Sequence, residues 1–457
     1  VATAPSLSEA ASTSSRLRDL PGPFWWLWLV RLIIMVGHFV VPFMTIFLTS
    51  EVGLTAGSAG LVVAAFGVGV VVSGLVGGVL ADRVGRKSTL VGSQLLSVVV
   101  LLFIPAAEGP LLISGLLALY GLFNGCSYPV IATMIGDLVE PAHRRLAFNY
   151  NYWAVNLGYA IGPLLAGFMA DSRIELIFYG QAAMLTASMA VLVAKVPDSN
   201  AAGAVAGKRR RRRGQEPDAS MRAGIQNSPP VEKGGLRQVL RDRTFITFGL
   251  VMLIYSIVYV QSTTTLPLVM AEQGFPSSAY GLLLTLNGVL LCILQIPTAR
   301  LFGRLPRNVC VALFILVTAL GVGLQAAATT LIVYFIAVTI WTLGEMGSHP
   351  QAQSLAADLA EPARRGRYQG IFSMHKSLAM VIGPVLGGFV LETFGASVLW
   401  LGAAGFCAIA AGLLMLTSRS RQQRVEEVVA ADISQREAAE QRAWEHHSVR
   451  TTKEETR

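Results

Sequence analysis

The chain has 457 residues, of which 53% are hydrophobic and only 14% charged, with a mean hydropathy of +0.57 and a formal net charge of +9. Soluble domains carry about 25% charged residues, so this composition excludes an ordinary soluble globular protein and makes the bilayer the expected solvent. The four cysteines (Cys126, Cys292, Cys310, Cys407) lie in apolar stretches at no CxxC or ligand spacing. They read as small packing residues, with neither a metal site nor a disulfide framework.

A hydrocarbon core of about 30 Å takes about 20 apolar residues as helix, and helix is the form in which an isolated segment satisfies its own backbone in lipid. Runs of that kind lie near 24–48, 58–81, 88–105, 111–135, 147–170, 174–194, 245–270, 279–302, 308–327, 330–355, 369–392 and 396–417. The fold class predicted is therefore an all-α polytopic membrane protein with twelve transmembrane helices. The start is polar and Ser-rich and passes directly into an apolar run too long for a signal-peptide core, so no cleavable signal is expected.

Basic residues set the orientation. Arg16 and Arg18 precede the first span; Arg83, Arg86 and Lys87 follow the second; Arg144 and Arg145 the fourth; Lys195 and the run Lys208–Arg213 the sixth. Arg304 and Arg307 follow the eighth, Arg364, Arg365 and Arg367 the tenth, and Arg419, Arg421 and Arg424 the last. The alternate loops hold Glu51, Glu108, Asp171, Glu175, Glu272 and Glu392, with Arg173 as their basic residue. Both termini are thus expected in the cytoplasm of a cell (inner) membrane protein. Within the flexible 197–241 linker, the Lys208–Arg213 run reads as a topology determinant with a possible touch on anionic lipid, not as a nucleic-acid site. The segment 418–457 reads as a charged cytoplasmic tail, helical in pattern from Val425 to Trp444.

The chain repeats itself at one offset. Asp137-Leu138-x-Glu140-Pro141-Ala142-x-Arg144 recurs 221 positions later (358 − 137) as Asp358-Leu359-x-Glu361-Pro362-Ala363-x-Arg365. The same offset carries Ile161-Gly162-Pro163 onto Ile382-Gly383-Pro384, Gly53 and Gly60 onto Gly274 and Gly281, and Arg83 and Arg86 onto Arg304 and Arg307. Two pseudo-symmetric six-helix halves follow, 24–196 and 242–417, after a cytoplasmic 1–23 segment; such halves place a substrate site between them near mid-bilayer. The repeat breaks at two chemically suggestive places: Asp82 maps onto Gly303, and Asn124 onto Glu345.

The stretch Gly78-x-Leu80-Ala81-Asp82-Arg83-x-Gly85-Arg86-Lys87 resembles the loop between helices 2 and 3 of the major facilitator superfamily of secondary transporters. Gly158-x-x-x-Gly162-Pro163-x-x-x-Gly167, echoed by Gly383-Pro384-x-x-Gly387, resembles the fifth-helix motif of the twelve-helix drug–proton antiporters within it. On the residues alone, small side chains at this spacing let helices pack closely and the prolines loosen them. The resemblance implies a conformational latch of Gly78, Asp82, Arg83, Gly85 and Arg86, in which the acid locks the outward-facing state through a helix N-terminus near Arg367. Asp137 with Arg144, and Asp358 with Arg365, are expected to form similar cytoplasmic ion pairs.

Glu345 is the expected proton carrier, because an ionised carboxylate mid-way along a span is costly and its protonation depends on access to water. His349 lies one turn away on the same face and His38 on the first span; both are further coupling candidates. Arg31, His38, His349 and Lys376 are the candidate partners of Glu345, although Arg31 and Lys376 are near enough to a helix end to snorkel; of the adjacent His375 and Lys376, one is expected to face the cavity. Asn124, Tyr128, Asn149, Tyr152, Asn156, Tyr255, Tyr259, Gln261, Asn287 and Trp341 are the polar and aromatic candidates for a cavity suited to an amphipathic or cationic organic substrate. Two features depart from the antiporter pattern: Gly121 stands where an Arg is usual on the fourth span, and Arg31 and His38 replace a first-span acid. The reading is a monomeric secondary transporter, without metal or cofactor and driven by the proton gradient, that exports drugs or peptides. Uptake or exchange of a polar metabolite and lipid flipping are its alternatives. A multi-span membrane enzyme or receptor is the alternative of another class, disfavoured because no HExxH, GxSxG or GxxxxGK run occurs.

Overall fold

The computed structural model describes residues 20–197, 235–302, 305–361 and 364–455, and among them every regular element is a helix. In chain order these are α1 (Gly22–Val36), α2 (Val40–Ser50), α3 (Ala56–Val84), α4 (Arg86–Phe103), α5 (Pro110–Leu138), α6 (Arg144–Ser172) and α7 (Leu176–Lys195). They continue with α8 (Gly235–Arg241), α9 (Arg243–Thr264), α10 (Leu266–Glu272), α11 (Ser277–Phe302), α12 (Arg307–Leu324), α13 (Leu331–Asp358), α14 (Arg365–Leu416) and α15 (Ser418–Glu455). The N-terminal segment, the Lys208–Arg213 run, Arg304 and the Pro362-Ala363 part of the repeat lie outside the described residues.

Among the described residues, eleven segments are long and apolar enough to cross a membrane. The last of them, α14, has 52 residues and turns at Gly395, whose φ of 79° and ψ of 173° interrupt the helix. A side chain rarely adopts that φ, and the turn lets one assigned helix supply two spans, the eleventh and twelfth of the sequence reading. Gly53 and Gly274, matched by the repeat, hold φ of 74° and 82° in equivalent loops. Leu111, Leu301, Ile332 and Leu416 are among many large apolar side chains left exposed, as a lipid-facing surface requires.

Spans 1 and 7, expected as continuous helices, are each broken. In span 1 the break runs from Gly37 to Phe39; in span 7 it falls at Thr265. The cause in each case is a proline. Pro42 and Pro267 lack the N–H that would continue the ladder, and their rings crowd the carbonyl four residues earlier. The freed backbone finds a side-chain partner in the first break, where Val40 N–H donates to Gln181 Oε1 at 2.9 Å while Gln181 Nε2 donates to the Tyr120 hydroxyl.

Contacts gather the helices into two compact units. One joins the described residues of Val1–Ser228 to Val260–Ile293 and Met380–Ala396; the other comprises Pro229–Tyr259, Leu294–Ala379 and Ser397–Arg457. The units cut across the two halves of the repeat, because parts of α9–α11 and α14 pack with the N-terminal helices.

In the second unit, α15 is stapled to the helices before it. The Arg421 side chain is buried; its Nε donates to Asn308 Oδ1 at 2.8 Å, its Nη1 to Thr417 Oγ1 at 2.5 Å and its Nη2 to the Leu414 carbonyl. Burial lowers its pKa to about 10. One turn on, Arg424 pairs with Asp242 at 3.3 Å and Glu361 at 3.2 Å, and the Tyr368 hydroxyl donates to Asp242 at 3.0 Å. Arg421→Ala is expected to cost about 1–3 kcal/mol, since it strips a charged donor from three acceptors, of which the Leu414 carbonyl is buried and the other two part-buried. The thermal midpoint should fall and α15 should become protease-sensitive, whereas Arg419→Ala, at an exposed site, should change neither.

Candidate substrate and coupling site

Three positions one turn apart on α13, Trp341, Glu345 and His349, share a face. Glu345 lies at the middle of the helix and is half-buried. The Tyr259 hydroxyl, from α9, donates to Glu345 Oε1 at 2.9 Å. The Tyr259 ring stacks on Trp341 at 5.9 Å and 16°, and meets the edge of the His349 ring at 5.2 Å. Tyr255, one turn away, lies 5.4 Å from His349 and shares its hydroxyl with Ser348 Oγ at 2.8 Å and Thr318 Oγ1 at 3.3 Å. Lys376 is exposed and close enough to interact electrostatically with both Glu345 and His349. Its neighbour His375 is instead buried, its Nδ1 on the Phe372 carbonyl. The carboxylate thus has a hydrogen-bond donor, a nearby cation and an aromatic surround at a depth where charge costs about 3 kcal/mol or more.

The first unit holds a different cluster. Arg31 on α1 is buried, with its guanidinium 4.3 Å over the Tyr128 ring. The Tyr128 hydroxyl points to Met35 Sδ at 3.9 Å. His38 lies in the span 1 break, 6.0 Å from the Tyr159 ring. Of the other candidates, Asn124 is buried, Asn149 and Tyr152 are exposed, and Asn156 donates to the Tyr152 carbonyl within its own helix. Asn287 is buried on α11. Gln261 serves as a helix tie: its Nε2 donates to the Gly383 carbonyl at 2.9 Å while Thr264 and Thr265 donate to its Oε1.

The small-residue motif makes several close helix contacts. Gly158 and Gly162 lie on the Met35–Val36 backbone, Gly167 on Ser278, and Gly387 on Gln261. Crossed pairs then join the repeats. Gly60 on α3 lies against the Pro384 carbonyl of α14, and its repeat partner Gly281 on α11 lies against the Pro163 carbonyl of α6. Gly67 meets Met380, and the matching Gly288 meets Tyr159 and Ala160. Beyond them, Gly57 N–H donates to Glu392 Oε2 at 2.7 Å, and Ser278 N–H donates to both Asp171 carboxylate oxygens at 3.2 Å. Each carboxylate lies at the end of its own span and against the first turn of another helix, α3 for Glu392 and α11 for Asp171, where it offsets the macrodipole and an orphan N–H. Every one of these partners is related to its counterpart by 221 positions.

At the Asp82 loop, Gly85 has a φ of 97° and separates α3 from α4. Gly78, Asp82 and Arg83 are exposed, and Asp82 forms no ion pair among the described residues. Arg86 pairs with Asp137, and Arg307 with Asp358; the expected partners differ, since Arg144 Nε donates to the Val139 carbonyl at 3.2 Å and Arg365 is exposed. The reason is reach: Arg86 and Arg307 start α4 and α12 beside the ends of α5 and α13. Lys87 Nζ caps α7 through the carbonyls of Val193, at 3.1 Å, and Val196, at 2.6 Å. Among the described residues no group of three or more His, Cys, Asp or Glu side chains is placed to hold a metal ion.

The family model described as Major Facilitator Superfamily matches residues 27–276 and 262–451. The chain belongs to that superfamily. This member is a multi-pass membrane transporter. It is 25% identical over 377 residues to the multidrug resistance protein MdtH of Aeromonas salmonicida, covering 80% of this chain and 86% of that one. It is 23% identical over 367 residues to a Na(+), Li(+), K(+)/H(+) antiporter of Planococcus maritimus, covering 76% and 84%. The crystal structure of the nucleoside transporter NupG superposes with a TM-score of 0.70 at 12% identity, over 87% of this chain and 99% of that chain, a likeness of fold.

The sequence of this superfamily member offered Asp171 and Glu392 only as loop acids, and Gly57, Ser278, Gly67, Gly288 and Gln181 were not among its candidates. All but Gln181 carried a legible signal, the 221-residue offset, but that signal relates equivalent positions and does not say that an equivalent pair meets crosswise.

Proposed function

We propose that the chain is a proton-coupled exporter of small amphipathic organic molecules, working by alternating access as a monomer in the inner membrane with both termini cytoplasmic. Glu345 is the coupling acid, and the observation that carries this reading is the Tyr259–Glu345 hydrogen bond at mid-span. A carboxylate held there alternates between an ionised form that needs water or Lys376 and a neutral form that tolerates closure. His349 serves as relay and Tyr255, Tyr259 and Trp341 as the aromatic surface. The relatives, a multidrug resistance protein and a cation/H(+) antiporter, lean the same way. In this orientation the end sealed by Asp171 and Glu392 is the outer one, and the exposed Asp82 is a latch not engaged in this conformer. No cofactor enters; the proton gradient supplies the energy.

The test is transport by the purified protein in proteoliposomes, with imposed pH gradients and a panel of aromatic dyes, dipeptides and lipid analogues. The expected result is uphill movement of an amphipathic member that collapses when nigericin dissipates the gradient. Accumulation indifferent to pH would overturn proton coupling, and movement of polar metabolites alone would overturn the substrate class.

A further inference from the structure

Arg31 and Arg421 are both buried arginines with opposite accounts. Arg421 spends its guanidinium on three acceptors. Arg31 is 4% exposed, yet its Nε and Nη1 have no hydrogen-bond partner. The acids of the N-terminal helices, Asp82, Asp137 and Asp171, lie within three residues of a helix end, and Asp and Glu are absent from 22–50, 56–81, 86–107, 110–136, 144–170 and 176–197. The neighbour of Arg31 is the face of Tyr128, which is itself 45% exposed and is therefore a wall that another molecule can reach. A cation–π contact offsets only part of the desolvation of a guanidinium. Leaving two donors of a buried cation unmade is the kind of cost that persists where a ligand repays it.

We propose that Arg31 is an anion-binding site that takes the carboxylate of an amphipathic substrate, with the apolar part of that substrate against the exposed Tyr128 ring. The inference rests on the exporter reading above and narrows its substrate class from amphipathic molecules in general to organic acids and zwitterions. The guanidinium offers a planar fork that matches a carboxylate. His38, seven residues further along in the span 1 break and within the electrostatic reach of Arg31, adds a second donor.

The experiment measures equilibrium binding of radiolabelled 1-naphthaleneacetate and its neutral amide, 1-naphthaleneacetamide, to the full chain in phosphatidylcholine nanodiscs without any gradient. The acid should bind at least about tenfold more tightly, the scale of one hydrogen bond to a charged group. Arg31→Gln should level the two, and Arg31→Lys should keep part of the preference. Without ligand, Arg31→Gln should leave the thermal midpoint unchanged or raise it, because an unpaired buried charge is removed; a fall would assign Arg31 to structure and overturn the proposal. Equal affinities, no binding of either probe, or a preference that survives Arg31→Gln would overturn it too. If phosphatidylglycerol in the nanodisc abolishes the preference, the anion is a lipid phosphate and the substrate assignment falls. Because this binding is read without any gradient, a failure of proton coupling leaves the acid preference in place, and a failure of the anion site is read separately from it.

Discussion

Glu345→Gln is expected to reduce pH-driven accumulation to the level of protein-free vesicles while substrate exchange at equal pH on both sides continues. Gln has the shape of the protonated acid and cannot lose a proton, so the carrier keeps the form that permits both closures and loses the form that reports the gradient. The substitution keeps an oxygen to accept from the Tyr259 hydroxyl, and the change in stability should stay below about 1 kcal/mol. That separates coupling from scaffolding. If Glu345 were only the static counter-ion of Lys376, its loss would strand a cation, and thermal stability and exchange would fall together. Tyr259→Phe offers a milder companion: the acid loses its donor but keeps its charge change, so transport should persist with a shifted pH dependence. Uphill accumulation by Glu345→Gln under a pH gradient would remove Glu345 from the coupling role.

Much of this arrangement can be read from residue order, for identifiable reasons. Span number follows from apolar length, which the bilayer imposes on any sequence. Trp341, Glu345 and His349 are legible as one face because helical periodicity is local. The breaks in spans 1 and 7 were legible in principle at Pro42 and Pro267, but hydropathy averaged over a span does not register them, since a break of one to three residues, His38 included, is outweighed by the apolar run around it. The partners of Asp137 and Asp358 were not legible, because sequence proximity favours Arg144 and Arg365 while the start of α4 or α12 brings Arg86 or Arg307 closer. Contacts between repeats are harder still. Gly60 and Pro384 lie 324 positions apart, and nothing local to either one names the other.

Those crossed contacts lead to the second large effect. Gly60→Ala combined with Gly281→Ala is expected to slow or abolish transport while the protein still folds and still binds substrate. An added methyl at either site would fall on a carbonyl oxygen, of Pro384 or Pro163. These are backbone atoms of a packed helix, so the neighbour cannot swing aside as a flexible side chain would. Overpacking of this kind costs about 1–3 kcal/mol per site, but only in the conformer where α3 meets α14 and α11 meets α6. With both sites changed, the population of that conformer should fall by about thirtyfold or more, and a cycle that must pass through it slows or stops. Helix propensity works in the opposite direction, since Ala exceeds Gly by about 1 kcal/mol, so a loss of function cannot be ascribed to weaker helices. Gly115→Ala is the control, because an added Cβ there meets nothing within 4 Å. The readout is a thiol placed at Ser278, beside Asp171. Its modification by a membrane-impermeant maleimide should be slow in the parent and fast in the double variant. Asp171→Asn with Glu392→Gln should act in the same direction but more weakly, because each removes a carboxylate–helix terminus contact of only about 0.3–1 kcal/mol. Intact transport with unchanged thiol access in the double alanine variant would mean that the two glycine–proline contacts do not seal this end of the carrier.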